Sequence, residues 1–163
     1  MHRITAITPG FAVTGALGPD DFAVAAQRRF RSVISNLPDG ELAAAPTSRQ
    51  EADLAAAAGL GFRHIPTTKF DVLSEDVVGR MAEALRTLEG PVLAHCASGM
   101  RSAVAWAGAA AQVQPVDCVL AALKDAAIDL SHIRALLDEQ NGGADQLAEL
   151  PPALDCDCRR RAG

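Results

Sequence analysis

The sequence predicts an α/β domain built on a short, mainly parallel central sheet flanked by helices. Short β-rich runs alternate with segments whose apolar residues recur at helical spacing. Turn formers such as Pro38-Asp39-Gly40 and Gly90-Pro91 separate them. The chain of 163 residues holds one domain with a proper core and little left over. Strands alternating with helices pair in parallel and are covered on both faces.

Residues 4–7 and 11–14 flank the Pro9-Gly10 turn and read as a hairpin or two short edge strands. Pro19-Asp20-Asp21 opens a helix reaching about Arg29, with Pro in the first turn and acids at the positive end of the dipole. Residues 31–36 form a β-rich strand that Pro38-Asp39-Gly40 stops. Ser48-Arg49-Gln50-Glu51 fits a capping box for a second helix, which Gly59 ends. Residues 62–65 are the next strand, closed by Pro66. Ser74-Glu75-Asp76 caps a third helix through about Leu88, with Val77, Met81, Leu85 and Leu88 on one face. Pro91-Val92-Leu93-Ala94-His95 is a buried-type strand, and Cys96 stands at its carboxyl end, where open α/β sheets place their ligands. Helices are predicted at 101–112, 116–126 and 131–140. The domain is expected to occupy 1–140, and residues 141–163 to form a flexible tail.

A net charge of −5 argues against nucleic acid or an anionic membrane as partner, so any anion site must be a local electropositive pocket. With one Trp and no Tyr, the core must be packed from Ala, Val, Leu and Ile. The start, Met1-His2-Arg3-Ile4-Thr5, lacks the apolar run of a signal peptide and no stretch approaches a membrane span, so a cytoplasmic location is expected. Cys118 lies in the apolar run 116–120 and reads as packing. Cys156 and Cys158 lack a second ligand pair, so no metal and no cofactor is expected.

The chemistry concentrates in His95-Cys96-Ala97-Ser98-Gly99-Met100-Arg101-Ser102. A thiolate is the nucleophilic form of cysteine, and this loop has parts that favour it. The backbone N–H groups of Ala97, Ser98, Gly99 and Met100 can curl around one point, and Gly99 permits the positive φ such a nest needs. Arg101 brings a fixed charge and a fork for anion oxygens. The helix that follows aims its unpaired N–H groups at the same place. Ser102 is expected to hydrogen-bond the sulfur, and His95 to buttress the loop through backbone hydrogen bonds.

This loop resembles that of rhodanese sulfurtransferases and, one residue longer, that of protein tyrosine phosphatases. The surrounding chain is similar to the bacterial family of the beta-lactamase hydrolase-like protein's phosphatase-like domain, also catalogued as a sulfur transferase family. The similarity rests on residues 11–15, 33–41, 55–59, 64–66 and 90–96, in order and with that family's spacing. It implies the compact fold of dual-specificity phosphatases. Leu37 departs from the pattern, which often has Arg before Pro-Asp-Gly-Glu; Arg49 or Lys69 is the expected replacement for that charge.

Fold and loop then point in different directions. Four residues separate Cys96 from Arg101, where the phosphatase loop has five. A smaller ring suits a sulfane sulfur better than a phosphoryl group, so sulfur transfer is the expected reaction. Cys96 would carry a persulfide from thiosulfate or a thiol persulfide to sulfite, cyanide or a thiol, with Arg101 on the donor's anionic end, and a partner in sulfide oxidation is expected. The alternative is phosphate-ester hydrolysis through a phosphocysteine, with Asp71 as general acid. Asp39 reads as a turn residue in a supporting role and Asp76 as a helix-start residue. A third reading is an anion-binding module with little turnover.

Overall fold

The computed structural model describes residues 1–141 and 150–157. One sheet contains β1 (Thr5–Thr8), β2 (Phe11–Thr14), β3 (Ser32–Ser35), β4 (Gly61–His64) and β5 (Val92–His95). Their spatial order is β1-β2-β5-β3-β4. The last four run parallel and β1 pairs antiparallel with β2, as the mainly parallel expectation requires. β5 lies between β2 and β3 and is buried at all four positions, which is why its sequence is apolar without alternation.

Successive β5 side chains enter different cores. Leu93 packs with Ala12, Leu17, Phe22, Val33 and Ala55 beneath α1 (Asp21–Gln27) and α2 (Ser48–Ala57). Val92 and Ala94 join the larger core beneath α3 (Glu75–Thr87), α4 (Met100–Ala111), α5 (Val116–Asp125) and α6 (Arg134–Gln140). A short 3-10 turn, Ser131–Ile133, precedes α6. α4 is made largely of alanine and comes very close to its neighbours: a Cβ on Gly108 would stand 2.8 Å from Leu73 Cδ2 and 2.9 Å from Val78 Cγ2.

Three sequence expectations change here. The capping box of α2 starts one residue earlier than expected. Thr47 is the N-cap, its hydroxyl accepting from the Gln50 N–H at 3.3 Å while Gln50 Oε1 accepts the Thr47 N–H at 2.9 Å. Glu51 is thereby released from capping and turned inward, where its side chain is 2 % exposed.

Second, part of the segment expected to form a flexible tail is packed into the larger core. Ala153, Leu154 and Cys156 are buried. Trp106 Nε1 donates to the Ala153 carbonyl at 2.7 Å, Thr8 Oγ1 donates to that of Pro152 at 3.1 Å, and Gln114 Nε2 donates to that of Leu154. Gly142, Gly143 and Cys158 with the arginines after it lie outside the described residues. Third, Cys118 is disulfide-bonded and so is not a plain packing thiol. Among the described residues, no helix is long and apolar enough to cross a membrane.

Trp106 joins these parts: fully buried, it stacks on Phe11 with ring centroids 5.9 Å apart while its N–H holds residue 153. Trp106→Ala should destabilise the fold by about 3–5 kcal/mol through cavity formation and loss of that hydrogen bond. Urea unfolding followed by circular dichroism will read the loss, and a shift under about 1 kcal/mol would show the residue to be peripheral.

Candidate active site

The end of β5 delivers Cys96 to the carboxyl edge of the sheet, and the chain then turns sharply into α4. Gly99 makes the turn at φ 93°, in the left-handed region. A Cβ there would lie 3.1 Å from the Thr14 carbonyl oxygen, so both backbone conformation and space call for glycine. The turn points the Gly99 N–H at Cys96 Sγ, 3.1 Å away. α4 starts inside the loop, at Met100, and its first-turn N–H groups have no helical acceptors. Cys96 is completely buried, Ala97 and Arg101 are half-buried, and Ser98 and Met100 face solvent.

Arg101 is already engaged. Its Nη1 donates to Glu41 Oε2 at 2.9 Å and to the Thr67 carbonyl at 2.7 Å, and its Nη2 to Glu41 Oε1. The Glu41 hydrogen bonds, with a smaller contribution from the Cys96 sulfur, hold the guanidinium pKa above its ordinary value. Reciprocally, Arg101 holds the Glu41 carboxyl below the ordinary range. Glu41 follows the Pro38-Asp39-Gly40 turn, and sequence reasoning missed it as a site residue.

The other expected residues divide into those the fold brings to the loop and those it does not. Ser102 reaches the loop but donates to Asn36 Oδ1 at 2.8 Å, so its proton is directed at Asn36 and not at the sulfur, as had been expected. Asn36 is the second missed residue. Its backbone N–H donates to the His95 carbonyl at 2.8 Å and its Nδ2 to the Ile65 carbonyl at 2.9 Å. His95 is held through its side chain: Nε2 meets Glu51 Oε2 at 2.8 Å, a contact in place of the backbone hydrogen bonds expected of the ring.

Asp39 stays on the surface. Its carboxylate accepts the Ser48 N–H at 2.6 Å and the Ser48 hydroxyl at 2.7 Å, tying its turn to the start of α2, and these bonds lower its pKa. Asp76 is paired with Arg80 in the first turns of α3. Leu37 is buried and its carbonyl meets His64 Nε2 at 2.9 Å, so the position serves the core. Lys69, an expected substitute for the missing charge, lies over its neighbour Phe70, 5.1 Å from the ring centroid.

Asp71 lies on the exposed loop between β4 and α3. Its Oδ1 accepts from the Thr68 N–H at 2.7 Å, the Thr67 hydroxyl at 2.8 Å and the Thr68 hydroxyl at 3.0 Å. The Thr68 N–H leads in holding this carboxyl below its ordinary value, followed by the Thr67 hydroxyl. Here the side chain is a clamp on the loop whose Thr67 carbonyl receives Arg101, whereas the sequence reading held it as the acid of the phosphatase alternative. Among the described residues no group of His, Cys, Asp or Glu is arranged to hold a metal ion.

Comparison with known proteins bears on the reaction. Residues 3–114 match the family model of the beta-lactamase hydrolase-like protein, phosphatase-like domain. The beta-lactamase hydrolase-like protein of Xylella fastidiosa (strain 9a5c) is 34 % identical over 105 residues, a match covering 64 % of this chain and 24 % of that protein. A candidate phosphatase of Neisseria meningitidis Z2491 superposes with a TM-score of 0.71 at 29 % identity, over 84 % of this chain and 97 % of its own. A kinase-associated phosphatase, solved with its catalytic-site cysteine replaced by serine, gives 0.63 at 16 % identity, over 91 % of this chain and 98 % of its own, and shows the shared fold.

The expected sulfur transfer is thereby overturned: the family model and the structural neighbours are those of phosphatase-like proteins, with no rhodanese among these matches. The physical error lay in counting loop residues as donors. α4 starts at Met100, inside the loop, so the number of residues between Cys96 and Arg101 does not by itself fix the size of the cradle. The chain belongs to the family of the beta-lactamase hydrolase-like protein's phosphatase-like domain.

Proposed function

We propose that the protein is a phosphatase that hydrolyses phosphate monoesters through a phosphocysteine on Cys96. The observation that carries this reading is the convergence of the Cys96 sulfur, the Gly99 N–H at 3.1 Å and the Arg101 guanidinium at the start of α4. Donors preorganised around a nucleophile stabilise the charge that builds on a transferring phosphoryl group. The family match and the phosphatase neighbours support the same reaction. Because the Xylella relative is matched over about a quarter of its length, its other activities are not carried over.

In this mechanism Cys96 Sγ attacks phosphorus in line with the ester oxygen. The S–P bond forms as the P–O bond breaks, and the leaving oxygen departs with the bonding pair. Water then attacks the phosphocysteine, releasing inorganic phosphate and restoring the thiolate. Arg101 must share or give up its bidentate contact with Glu41 when its fork takes the phosphoryl oxygens.

p-Nitrophenyl phosphate should be hydrolysed, and Cys96→Ser should remove the activity entirely. Arg101→Lys should lower kcat/KM by about a hundredfold or more, because a point charge does not replace the bidentate fork. Activity that persists in Cys96→Ser would overturn the phosphocysteine.

Asp71 gives a second test. The Thr68 and Thr67 hydrogen bonds hold its carboxyl below the ordinary value, which favours the ionised form over the protonated one that a general acid needs. Its hydrogen bonds stabilise the ionised form, so that contribution is present above the ordinary value and is lost as pH falls through the lower folded one. Asp71→Asn should slow aryl and alkyl phosphates by the same modest factor, through the loosened Thr67 contact. A loss confined to alkyl phosphates, whose alkoxide needs a proton, would restore Asp71 as the acid.

A further inference from the structure

Glu51 and His95 form a buried polar pair behind the nucleophile that the proposed chemistry does not use. Both side chains are buried, the imidazole completely and the carboxylate to within 2 %. They come from elements remote in sequence, the first turns of α2 and the last residue of β5. Glu51 Oε2 lies 2.8 Å from His95 Nε2, and Glu51 Oε1 accepts from Ser35 Oγ at 3.4 Å. Ser35 is the β3 residue in register with His95, so one carboxylate spans the ends of two paired strands.

The other ring nitrogen sharpens the point. His95 Nδ1 is buried and has no hydrogen-bond partner among the described residues. Glu51 is thus the only side chain among them that hydrogen-bonds the imidazole. An ionised Glu51 accepts and cannot donate, which assigns a proton to His95 Nε2. A buried carboxylate is costly to desolvate and is retained only where its bonds are made well, and among the described residues no other charged side chain bonds to either member of this pair.

We infer that Glu51 is a positioning residue for the Cys96 nucleophile: it holds the proton of His95 on Nε2 and so fixes the residue from which the catalytic loop departs. This rests on the proposed phosphatase reading for its kinetic effect but not for its effect on the thiol. His95 is joined directly to Cys96, and its carbonyl receives the Asn36 N–H. A ring free to rotate would loosen the end of β5 and with it the line of attack from Sγ. Positional errors of this kind are costly, since about 1 Å of misplacement can lower a rate about a hundredfold. Among the described residues, the titratable and charged groups around the loop include Cys96 itself, His95 and its partner Glu51 from α2, Arg101 at the start of α4 with Glu41 on it, and His2, whose ring lies beside Gly15 and the Ala97 carbonyl.

The test compares wild type, Glu51→Gln and Glu51→Asp as full chains. Glu51→Gln keeps the size of the side chain, and Glu51→Asp keeps the charge on a shorter stem. Iodoacetamide alkylation of Cys96, followed by peptide mass mapping, reads the thiol without any phosphate substrate. Nitrogen-15 spectra of labelled histidine read the His95 tautomer. In Glu51→Gln, kcat on p-nitrophenyl phosphate should fall about tenfold or more with KM little changed, alkylation should slow, and the Nε2–H signature should be lost or mixed. Glu51→Asp should recover part of all three. If the folded Glu51→Gln protein keeps wild-type kcat, alkylation rate and tautomer, the inference is wrong. If wild type fails to hydrolyse the phosphate while alkylation and tautomer still respond to Glu51, the phosphatase reading fails and the positioning role stands. Should Glu51→Gln not fold, the same three readouts on Glu51→Asp decide, with no change in any of them overturning the inference.

Discussion

Asn36 is the point on which the carboxyl edge of the sheet depends. Several chain segments end or turn there. One side chain and its own backbone bind three of these segments: the β5 end through the His95 carbonyl, the residue after β4 through the Ile65 carbonyl, and the first turn of α4 through Ser102. Buried as it is, Asn36 uses both ends of its amide, which makes the arrangement directional as well as cohesive. Loosening it would let α4 shift against β5, and the distance between sulfur and guanidinium is set by that relation.

Much of this was legible in the sequence. The apolar run at 91–95 announced the central strand, and Gly99, Arg101 and a following helix announced the turn, because each residue type has a narrow conformational or chemical use there. The capping box was legible as a type but not in its register. Thr47 and Ser48 are both good caps; in the fold the Ser48 hydroxyl is taken by Asp39 and Glu51 turns inward to His95, which leaves Thr47 as the cap. Ser102 was assigned to the nearest obvious partner, the sulfur. Its actual partner, Asn36, is 66 residues away in the chain and shows no local signal.

Residues 150–157 were misread for a different reason. Two prolines and alternating acids have the composition of a loose tail. Their attachment is instead made by backbone carbonyls, which every sequence has, meeting the side chains of Trp106, Thr8 and Gln114. The choice between sulfur and phosphorus failed similarly. Loop length is visible in a sequence, whereas the point at which a helix starts to contribute its N–H groups is a property of the folded chain.

The alanine-built α4 has a consequence of its own. Most of its residues are buried, and at Gly108 the neighbouring side chains of Leu73 and Val78 leave no room for even a methyl group. Apart from Trp106, a helix seated this way has few methylenes to lose, while enlargement at its buried alanines must push neighbouring elements aside. Variation along α4 should therefore be strongly one-sided. Away from Trp106 and Arg101, the buried face of the element that aims the guanidinium resists enlargement more than truncation.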